Sequence, residues 1–532
     1  MQAFDVSPLN TAGELLRRWA GERPRTAALK TPGAVITYAE VLQAARRACG
    51  ELQALGVRRA DVVAFQLPNW IESIVLYYAI LECGAVAVPI LPAMREHDLR
   101  YMLGQVNARV FVTPTAWRGT DHLALARRSA GPGVTLATIA PRYSGWGAAE
   151  LLQPAGQGEW SDAAAEGPPR VPEGEGLDAV TTMIFTSGTS GRPKAVLYDH
   201  RCLAIEGAQM AKLDGVGRDD VLFVPASVAH IAGICFAIHM PLSVGCTACL
   251  LPEWDPEAAR QWMEEQGCTW TAGATPFLQG IVAAATAHGA GGPSRLRVFR
   301  CGGASVSPAL IRKARALGID AYRSYGLSEH PTVTGHAGQA AAACVESDGA
   351  VHPHVQVRIV DPADAGRALA PGEAGEIAVK GPDQSRGYLR PEDNQGTQRD
   401  GWLLTGDIGR LSVDGHLSIT GRKKDIIIRK GENIAARELE DLLLEHPEVG
   451  EVAAIGLPDA ERGEMVCCVI VPRGQATLSL ADCCAWLRGA GLATYKLPER
   501  LEYVAALPRN PGGKVLKNAL RQRFASLAEA RA

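Results

Sequence analysis

The stretch "AVTTMIFTSGTSGRPKA", residues 179–195, joins an apolar run to a loop rich in glycine and hydroxyl side chains. Backbone N–H groups freed by glycine, the hydroxyls and Lys194 are all groups that can surround a phosphate. The common nucleotide-binding sequence G-x-x-x-x-G-K-[ST] is absent, because Gly188 and Gly191 lie too close together and Arg-Pro separates Gly191 from Lys194. The loop alone therefore leaves two interpretations open, a phosphate site and a flexible surface loop.

Short apolar runs alternate with helical stretches on both sides of this loop. Such alternation predicts a largely parallel sheet with helices on its faces, in which ligands bind at the carboxyl ends of the strands. The segments "TSGTSG", "CGGA" and "SYGLSEH" fall at that edge. The apolar runs are "DVVAFQLPN", "AVAVPILP", "ARVFVTP", "DVLFVPA", "CTACLLP", "TWTAGATP" and "RLRVFRCGGA".

Length and composition limit the classes of function. A chain of 532 residues is too long for one compact core and suggests two to four domains. The 54 basic and 57 acidic residues give a net charge of −3, so no strong field for nucleic acid or an anionic membrane is expected. Small molecules are the favoured partners.

The beginning of the chain lacks the basic and then apolar order of a secretory signal and predicts a short amphipathic helix, so we expect a cytoplasmic protein. The 13 cysteines lie mostly in apolar runs and are expected to be reduced. Cys246 and Cys249 form a C-x-x-C sequence, but no second such sequence accompanies it, so a zinc site is not favoured.

Residues 221–252 contain no Asp, Glu, Lys or Arg over more than twenty positions, but Pro225 and Pro241 interrupt them. They predict a buried strand, helix and strand, not a membrane span.

The domain organisation follows from changes of pattern along the chain. A capping box of Thr37 and Glu40 predicts a helix that ends at Gly56, and residues 145–178 predict a surface excursion. After about residue 350 the pattern becomes short and β-rich, and after Arg422 it becomes α+β. We predict an α/β protein with a large N-terminal domain, 1–422, of doubly wound, mostly parallel sheets and a β-rich subdomain, and a small mobile α+β domain, 423–532.

Five motifs occur in a definite order: "TSGTSGRPK", "CGGA", "YGLSE", "TGD" with "GRKKD", and "PRNPGGK". Together they resemble the adenylate-forming superfamily of acyl- and aryl-CoA synthetases, carrier-protein adenylation domains and firefly luciferase, over essentially the whole chain. The resemblance implies that ATP and a carboxylic acid form an acyl-adenylate with release of pyrophosphate. Charge then accumulates on the phosphates, which requires fixed donors and a metal around them.

The resemblance also implies the roles of the motif residues. Glu329 would hold Mg²⁺, Tyr325 would stack on the adenine, and Lys514 would reach between the carboxylate and the α-phosphate. Ser328 stands where the family usually has Thr, and Gly512 where it usually has Ser. The catalytic residues are Lys514, Thr186 and Glu329. The implied ATP-binding residues are Thr186, Ser187, Gly188, Thr189, Ser190, Gly191, Lys194, Gly302, Gly303, Ala304, Ser324, Tyr325, Gly326, Leu327, Ser328, Asp407, Arg422 and Lys514.

The second half-reaction, transfer of the acyl group to the thiol of CoA, would use the small domain. By resemblance this domain rotates about a hinge at Lys424, which removes Lys514 and presents the segment that contains Lys430, Gly431 and Glu432 to CoA. This chain has Ala435 and Ala436 where many members continue Tyr-Pro. The implied cofactors are ATP, Mg²⁺ and CoA.

The acid is expected to be apolar. Amino-acid-activating members carry an Asp, and salicylate-type members an Asn, near the position where this chain has Ile231. The segments "HIAG", "TWTAGATPFLQGIV" and "FRCGGASVSPALI" look most like bacterial cyclohexanecarboxylate- and medium-chain acyl-CoA ligases. The candidate acyl-pocket residues are His230, Ile231, Phe236, Phe277 and Gly303.

Several alternatives remain open at this point. The acyl group could pass to a carrier-protein thiol, the acid could be aromatic, or the chain could bind a nucleotide without catalysis; an integral membrane carrier is the remotest option. A homodimer is neither indicated nor excluded by the sequence.

Overall fold

The protein is described by a computed structural model that covers residues 9–142, 151–159, 174, 176–186, 192–289, 291–303, 306–335, 345, 347–429, 432–459, 462–474, 478–509 and 515–529. Two seven-stranded sheets form the framework of these residues. All seven apolar runs singled out in the sequence are strands, four in the first sheet and three in the second. The predicted parallel α/β architecture is confirmed.

The first sheet is parallel except for its last pair of strands. Alternate residues face opposite sides, as in any strand, so that Leu222 and Val224 enter one core while Phe223 enters another. In spatial order its described strands are Ala321–Arg323, Val298–Cys301, Trp270–Gly273, Val221–Val224, Thr247–Leu250, Ala27–Thr31 and Ala34–Thr37.

The second sheet is parallel in its centre and antiparallel at both edges. One edge is the hairpin around the opening loop, and the other includes Gln153–Gln157, the described strand of the predicted excursion. In spatial order its described strands are Lys194–Asp199, Val180–Thr186, Val86–Pro89, Val62–Phe65, Val110–Thr113, Thr135–Thr138 and Gln153–Gln157.

Helices cover both faces of each sheet. The central layer, between the sheets, includes Tyr38–Ala54, Ile71–Glu82 and His200–Leu213, whose apolar side chains share one core cluster with both sheets. Glu96–Val106 and His122–Ser129 cover the outer face of the second sheet. Pro256–Gln266, Thr275–Ala287 and Pro308–Ala316 cover the outer face of the first. The other described helices are Ala12–Glu22, Ile231–Ile234, Met240–Val244, Ala436–Leu444, Leu480–Gly489, Lys517–Glu529, the π-helix Cys235–His239 and the 3-10 helices Gly176–Asp178, Pro391–Asn394, Lys423–Asp425 and Thr494–Lys496.

The predicted capping box begins the helix Tyr38–Ala54. The Thr37 hydroxyl accepts the Glu40 backbone N–H, and the Glu40 carboxylate accepts the Thr37 backbone N–H at 2.8 Å. Gly56 follows the helix with φ +87°, a conformation that glycine adopts without strain. Both ends of this helix are therefore set by local sequence.

Two further five-stranded sheets follow in the chain. The first is antiparallel throughout and consists, within the described residues, of Gln356–Val360, Gly375–Lys380, Trp402–Leu411, Gln398–Arg399 and Leu417–Arg422. The second consists of Glu432–Ala435, Ile426–Arg429, Gly463–Pro472, Val449–Asp459 and Arg500–Tyr503. The predicted β-rich and α+β regions are confirmed, and the division at 422 stays a prediction.

The uncharged segment 221–252 is buried protein core. It contains the strand Val221–Val224, three short helical pieces and the strand Thr247–Leu250, as the sequence predicts. No helix among the described residues is long and apolar enough to cross a membrane. Short strand pairs, Ala116–Trp117 with Thr120–Asp121 and Thr334–Gly335 with Ala350–Val351, complete the described strands.

Candidate functional site

The carboxyl ends of three parallel strands meet where the sequence expects a ligand. The Gly302 N–H donates to the Gly273 carbonyl at 3.2 Å, and the Ser324 N–H donates to the Cys301 carbonyl at 2.8 Å. A Cβ at position 302 would lie 2.5 Å from the Ser324 carbonyl oxygen, so only glycine fits. Gly303 is exposed with φ +77°. Gly302, Gly303 and Ser324 are thus brought together, while Ala304 lies outside the described residues.

A tight turn after Tyr325 carries Ser328 and Glu329. Leu327 and His330 exchange two backbone hydrogen bonds of 3.0 and 3.1 Å, which leaves Ser328 and Glu329 at the tip. Two tyrosines hold this tip: the Tyr198 hydroxyl donates to the Ser328 carbonyl, and the Tyr388 hydroxyl donates to Glu329 Oε1. The sequence did not single out either tyrosine.

Tyr325, Asp407 and Arg422 form one cluster. The Tyr325 hydroxyl donates to Asp407 Oδ2 at 2.7 Å, and Arg422 Nε lies 2.8 Å from Asp407 Oδ1. Asp407 and Arg422 are directly opposite each other on adjacent antiparallel strands. Burial and the adjacent carboxylate raise the pKa of Tyr325, so its phenol remains a hydrogen-bond donor. The structure therefore brings together Tyr325, Asp407 and Arg422, three residues that the sequence assigns to nucleotide binding.

Glu376 is a further residue of this cluster that sequence reasoning missed. Its buried carboxylate accepts the Gly406 backbone N–H at 3.2 Å through Oε1 and pairs with Lys423 Nζ at 2.8 Å through Oε2. It thereby ties the "TGD" turn to the segment that follows Arg422. A single Glu inside a short, mostly apolar strand gives no sequence signal of such a role.

The two ends of the glycine-rich loop are fixed opposite each other. Thr186 and Lys194 are the last pair of an antiparallel hairpin. Lys194 Nζ lies 3.2 Å from Asp393 Oδ1, and both side chains are largely buried. Ser187, Gly188, Thr189, Ser190 and Gly191, which the sequence assigned to phosphate binding, lie outside the described residues.

His230 stands at the start of the helix Ile231–Ile234, and its Nδ1 accepts the Ala232 N–H at 3.2 Å. The imidazole reaches solvent, yet the surrounding protein lowers its pKa by desolvation, as expected for a side chain in the wall of a cleft. The preceding loop is held by Asn69, which donates to the Ala226 carbonyl and accepts the Val228 N–H, both at 3.0 Å. Asn69 was not predicted, because its partners are about 160 residues away.

The candidate acyl residues divide between two faces of the first sheet. Ile231 and Phe236 are buried in the central core, where Phe236 packs edge-on against Trp270 at 5.2 Å. Phe277 is half-buried against the core of the opposite face and packs on Trp254 at 4.7 Å. The acyl roles of these residues stay predictions, and Phe236 and Phe277 belong to separate apolar clusters.

A cluster of buried polar side chains lies next to the turn that carries Glu329. Asp383 lies 3.5 Å from His330 Nε2 and 3.3 Å from His354 Nε2, and Thr332 donates to Glu206. Burial, and then the nearby Asp383 carboxylate, raise the pKa of Glu206 well above its ordinary value, which favours its neutral form. No sequence pattern indicates this group, since its members come from four separate segments.

The small-domain candidates are described only in part. Lys424 is exposed within the short helix Lys423–Asp425, and Glu432 is exposed at the start of the strand Glu432–Ala435. Lys430, Gly431 and Lys514 lie outside the described residues, so their assignment rests on the motifs.

The Glu329 tip suits a magnesium ion shared with phosphate. Magnesium is usually held by one or two carboxylates together with substrate phosphates and water. Within the described residues no group of three or more His, Cys, Asp or Glu side chains could hold a metal ion. A single half-buried carboxylate such as Glu329 meets the smaller requirement.

Known families match nearly the whole chain. A model described as AMP-binding enzyme matches residues 16–389, and one described as AMP-binding enzyme C-terminal domain matches residues 438–514. A medium-chain fatty-acid–CoA ligase of Escherichia coli (strain K12) is 33% identical over 509 residues, 94% of this chain and 87% of the relative. A feruloyl-CoA synthase of Amycolatopsis sp is 33% identical over 511 residues, 95% of this chain and 98% of the relative.

Solved structures show the same similarity. The ATP-bound MatB from Rhodopseudomonas palustris aligns with a TM-score of 0.82 at 30% identity, covering 97% of this chain and 99% of that one.

Proposed function

The chain belongs to the family of AMP-binding enzymes, and from this premise we propose that it is an acyl-CoA synthetase for an apolar carboxylic acid. Family membership confirms the resemblance of the five motifs to the adenylate-forming superfamily. The enzyme is an AMP-forming acid–thiol ligase that works with ATP, Mg²⁺ and CoA. The proposed acid is medium-chain, alicyclic or related.

In the proposed first step, a carboxylate oxygen attacks the α-phosphate of ATP and pyrophosphate leaves. Asp407 and Arg422 would bind the ribose hydroxyls, and the strand ends at Gly302 and Ser324 would lie along the base. Mg²⁺ bound at Glu329 would neutralise charge on the phosphates. Thr186 and Lys194 would hold the β- and γ-phosphates, and Lys514 would bridge the carboxylate and the α-phosphate.

In the second step, the CoA thiol attacks the acyl carbonyl and AMP leaves. The small domain, turning at Lys424, would remove Lys514 and bring the segment with Lys430, Gly431 and Glu432 to the thiol. The observation that carries the nucleotide part of the proposal is the convergence of Tyr325 and Arg422 on Asp407, at 2.7 and 2.8 Å.

The apolar acid is supported by the environment of the His230 loop. The loop between Val224 and Ile231 contains no Asp, Glu, Lys or Arg, and Ile231 is buried beside it. An apolar wall favours an uncharged acyl group, although one methylene changes a pocket's preference by only about 1–3 kcal/mol.

The reaction is tested by incubating the protein with ATP, Mg²⁺, CoA and a panel of straight-chain, alicyclic and aromatic acids. We expect AMP release with at least one apolar acid. The absence of AMP with every acid would overturn the proposal. Offering CoA and a carrier protein in separate reactions distinguishes the two thiol acceptors.

An aromatic acid is a second candidate, because the feruloyl-CoA synthase is as similar to the chain as the medium-chain ligase. The same panel decides between them through kcat/KM. Preference for an aromatic acid would replace the medium-chain assignment and leave the reaction unchanged.

The role of Lys514 is tested by Lys514→Ala. Adenylation should fall by a factor of about 10² or more, because a positioned charge at the reacting phosphate is lost. Thioester formation from supplied acyl-adenylate should remain. The exposed Lys313 gives the matched control Lys313→Ala, which should change neither rate. Equal loss of both half-reactions in the Lys514 variant would refute the assignment.

A further inference from the structure

Residues 384–394, here named the bridging segment, connect the two ends of the candidate phosphate site. The segment pairs with the strand Lys194–Asp199 as an added edge strand: Arg386 N–H donates to the Leu197 carbonyl, and Leu389 N–H donates to the Ala195 carbonyl, both at 2.9 Å. At its other side, the Ser385 N–H donates to the Glu329 carbonyl at 2.9 Å. One short segment therefore contacts both the strand that begins at Lys194 and the turn that carries Glu329.

Tyr388 is the centre of this segment. Its hydroxyl donates to Glu329 Oε1, and its ring lies beneath Lys194 Nζ, 5.1 Å from the ring centroid. Within the described residues, the second oxygen of Glu329 accepts no hydrogen bond from a protein group. Tyr388 thus fixes one carboxylate oxygen and leaves the other for a ligand.

The backbone around Tyr388 is held from within the segment. Asn394 Oδ1 accepts the Tyr388 N–H at 2.9 Å, and Asn394 Nδ2 donates to the Tyr388 carbonyl at 3.0 Å. Gly387 has φ +85°, and a Cβ there would lie 2.5 Å from Asn394 Oδ1. The neighbouring Asp393 is the ion-pair partner of Lys194 at 3.2 Å. The position of the Tyr388 ring is consequently determined by several independent contacts.

We propose that Tyr388 is a positioning residue for the metal–triphosphate complex, which orients the carboxylate of Glu329 for Mg²⁺ and sets its separation from Lys194. A triphosphate with its metal must meet Lys194 and Glu329 at the same time, so their relative position decides how well the complex binds. This inference rests on the proposed function, in which Glu329 holds the metal and Lys194 holds the phosphates.

The test is Tyr388→Phe, which keeps the ring below Lys194 and removes only the hydroxyl. Binding of ATP is measured by calorimetry with and without Mg²⁺. The lost hydrogen bond is to Glu329 and not to the ligand, so only part of its free energy is passed on, and we expect Mg·ATP to bind about three- to tenfold more weakly while the affinity for metal-free ATP stays within about twofold. The exposed Tyr495 gives the control Tyr495→Phe, for which both affinities should be unchanged.

Half-reaction rates provide a second readout. The Mg²⁺ concentration for half-maximal pyrophosphate exchange should rise about three- to tenfold in Tyr388→Phe, and thioester formation from supplied acyl-adenylate should be unchanged. A merely structural role would weaken metal-free ATP and the thioester step as well, and that result would overturn the inference. Unchanged Mg²⁺ dependence would overturn it too.

A double-mutant cycle tests whether Tyr388 acts through Glu329. If Tyr388 acts through Glu329, its substitution in a Glu329→Gln protein should cost little further Mg·ATP affinity. Additive losses would contradict the inference. Failure of the wild-type protein to bind Mg·ATP would instead reject the proposed function and is recognised without any variant.

Discussion

Glu72 is a carboxyl group almost completely removed from water. Only 2% of the residue is exposed, and its Oε1 accepts the backbone N–H of Arg142. Burial raises the pKa of Glu72 from 4.5 to about 7. The side chain lies in the first turn of Ile71–Glu82, where the helix dipole favours a carboxylate but does not outweigh desolvation.

This pKa predicts a pH-dependent contribution to stability. Below pH 4.5 the carboxyl is protonated in both the folded and the unfolded chain. Between pH 4.5 and 7 the unfolded chain releases the proton first, so the free energy of unfolding falls as the pH rises, by about 3 kcal/mol in total. Glu72→Gln should remove this slope, raising Tm clearly at pH 8 and little at pH 5.

Thermal unfolding at the two pH values measures the effect. Glu22→Gln, at an exposed position paired with Arg18, should change Tm little at either pH. The same rise at both pH values in Glu72→Gln would contradict the proposed cause.

The sequence predicted site residues that belong to a recognisable motif and missed those that do not. Asp407 and Glu329 belong to motifs, so the sequence alone indicates their chemistry. Tyr388, Glu376 and Asn69 were missed because each acts through a partner that is distant in the chain and stands in no motif. Their roles follow from tertiary contacts alone.

At the scale of elements, the short turn after Tyr325 positions Ser328 and Glu329 in the candidate site. Gly326 packs so closely that a Cβ would lie 1.9 Å from the Pro331 carbonyl oxygen. The backbone of the turn must therefore move if any side chain is added. Ser328 and Glu329 would move with it.

We expect Gly326→Ala to lower the free energy of unfolding by about 1–3 kcal/mol and to reduce adenylation strongly. Gly104 is the matched control, because it lies in the helix Glu96–Val106 with no atom within 4 Å of an added Cβ. Gly104→Ala should stabilise the protein by up to about 1 kcal/mol. Urea unfolding measures the stability of both variants, and pyrophosphate exchange measures their adenylation activity. Normal activity in Gly326→Ala would disprove the close packing.

Elements with a strong local pattern were predictable, and elements held by distant contacts were not. The seven apolar runs and the helix after Thr37 carry periodicity and caps, which act within a few residues. The bridging segment is polar and has no period, and its strand-like pairing exists only because Lys194–Asp199 lies beside it. The π-helix Cys235–His239 likewise has no separate sequence signal.

At the scale of the whole molecule, a shared carboxylate connects the C-terminal region to the large region. Asp348 Oδ1 accepts Arg323 Nη2 at 2.6 Å and Arg437 Nη2 at 3.2 Å. Arg437 belongs to the helix Ala436–Leu444, whereas Asp348 and Arg323 precede the predicted division at 422. All three side chains are largely buried, so this contact is worth more than a surface ion pair.

Arg437→Ala should loosen the C-terminal region without leaving Asp348 unpaired, since Arg323 remains. Trypsin cleaves after Arg and Lys, and the chain around the predicted hinge contains Arg422, Lys423 and Lys424. Loss of a charged hydrogen bond predicts that cleavage at the hinge becomes at least about tenfold faster. The exposed ion-pair residue Arg18 supplies the control Arg18→Ala. Equal cleavage of all three proteins would show that the Asp348 contact does not restrain the region.

The cross-strand pair of Asp407 and Arg422 ends two residues before the predicted hinge, Lys424. If the ribose binds this pair, as proposed, the nucleotide contacts the same two strands from which the small domain departs. Thermodynamic reciprocity then applies: the factor by which one orientation tightens nucleotide binding equals the factor by which bound nucleotide favours that orientation. Affinity measurements and orientation measurements would return the same coupling free energy. A value well above zero would show that bound nucleotide itself favours one orientation of the small domain, whereas a value of zero would show that nucleotide binding and domain rotation are independent.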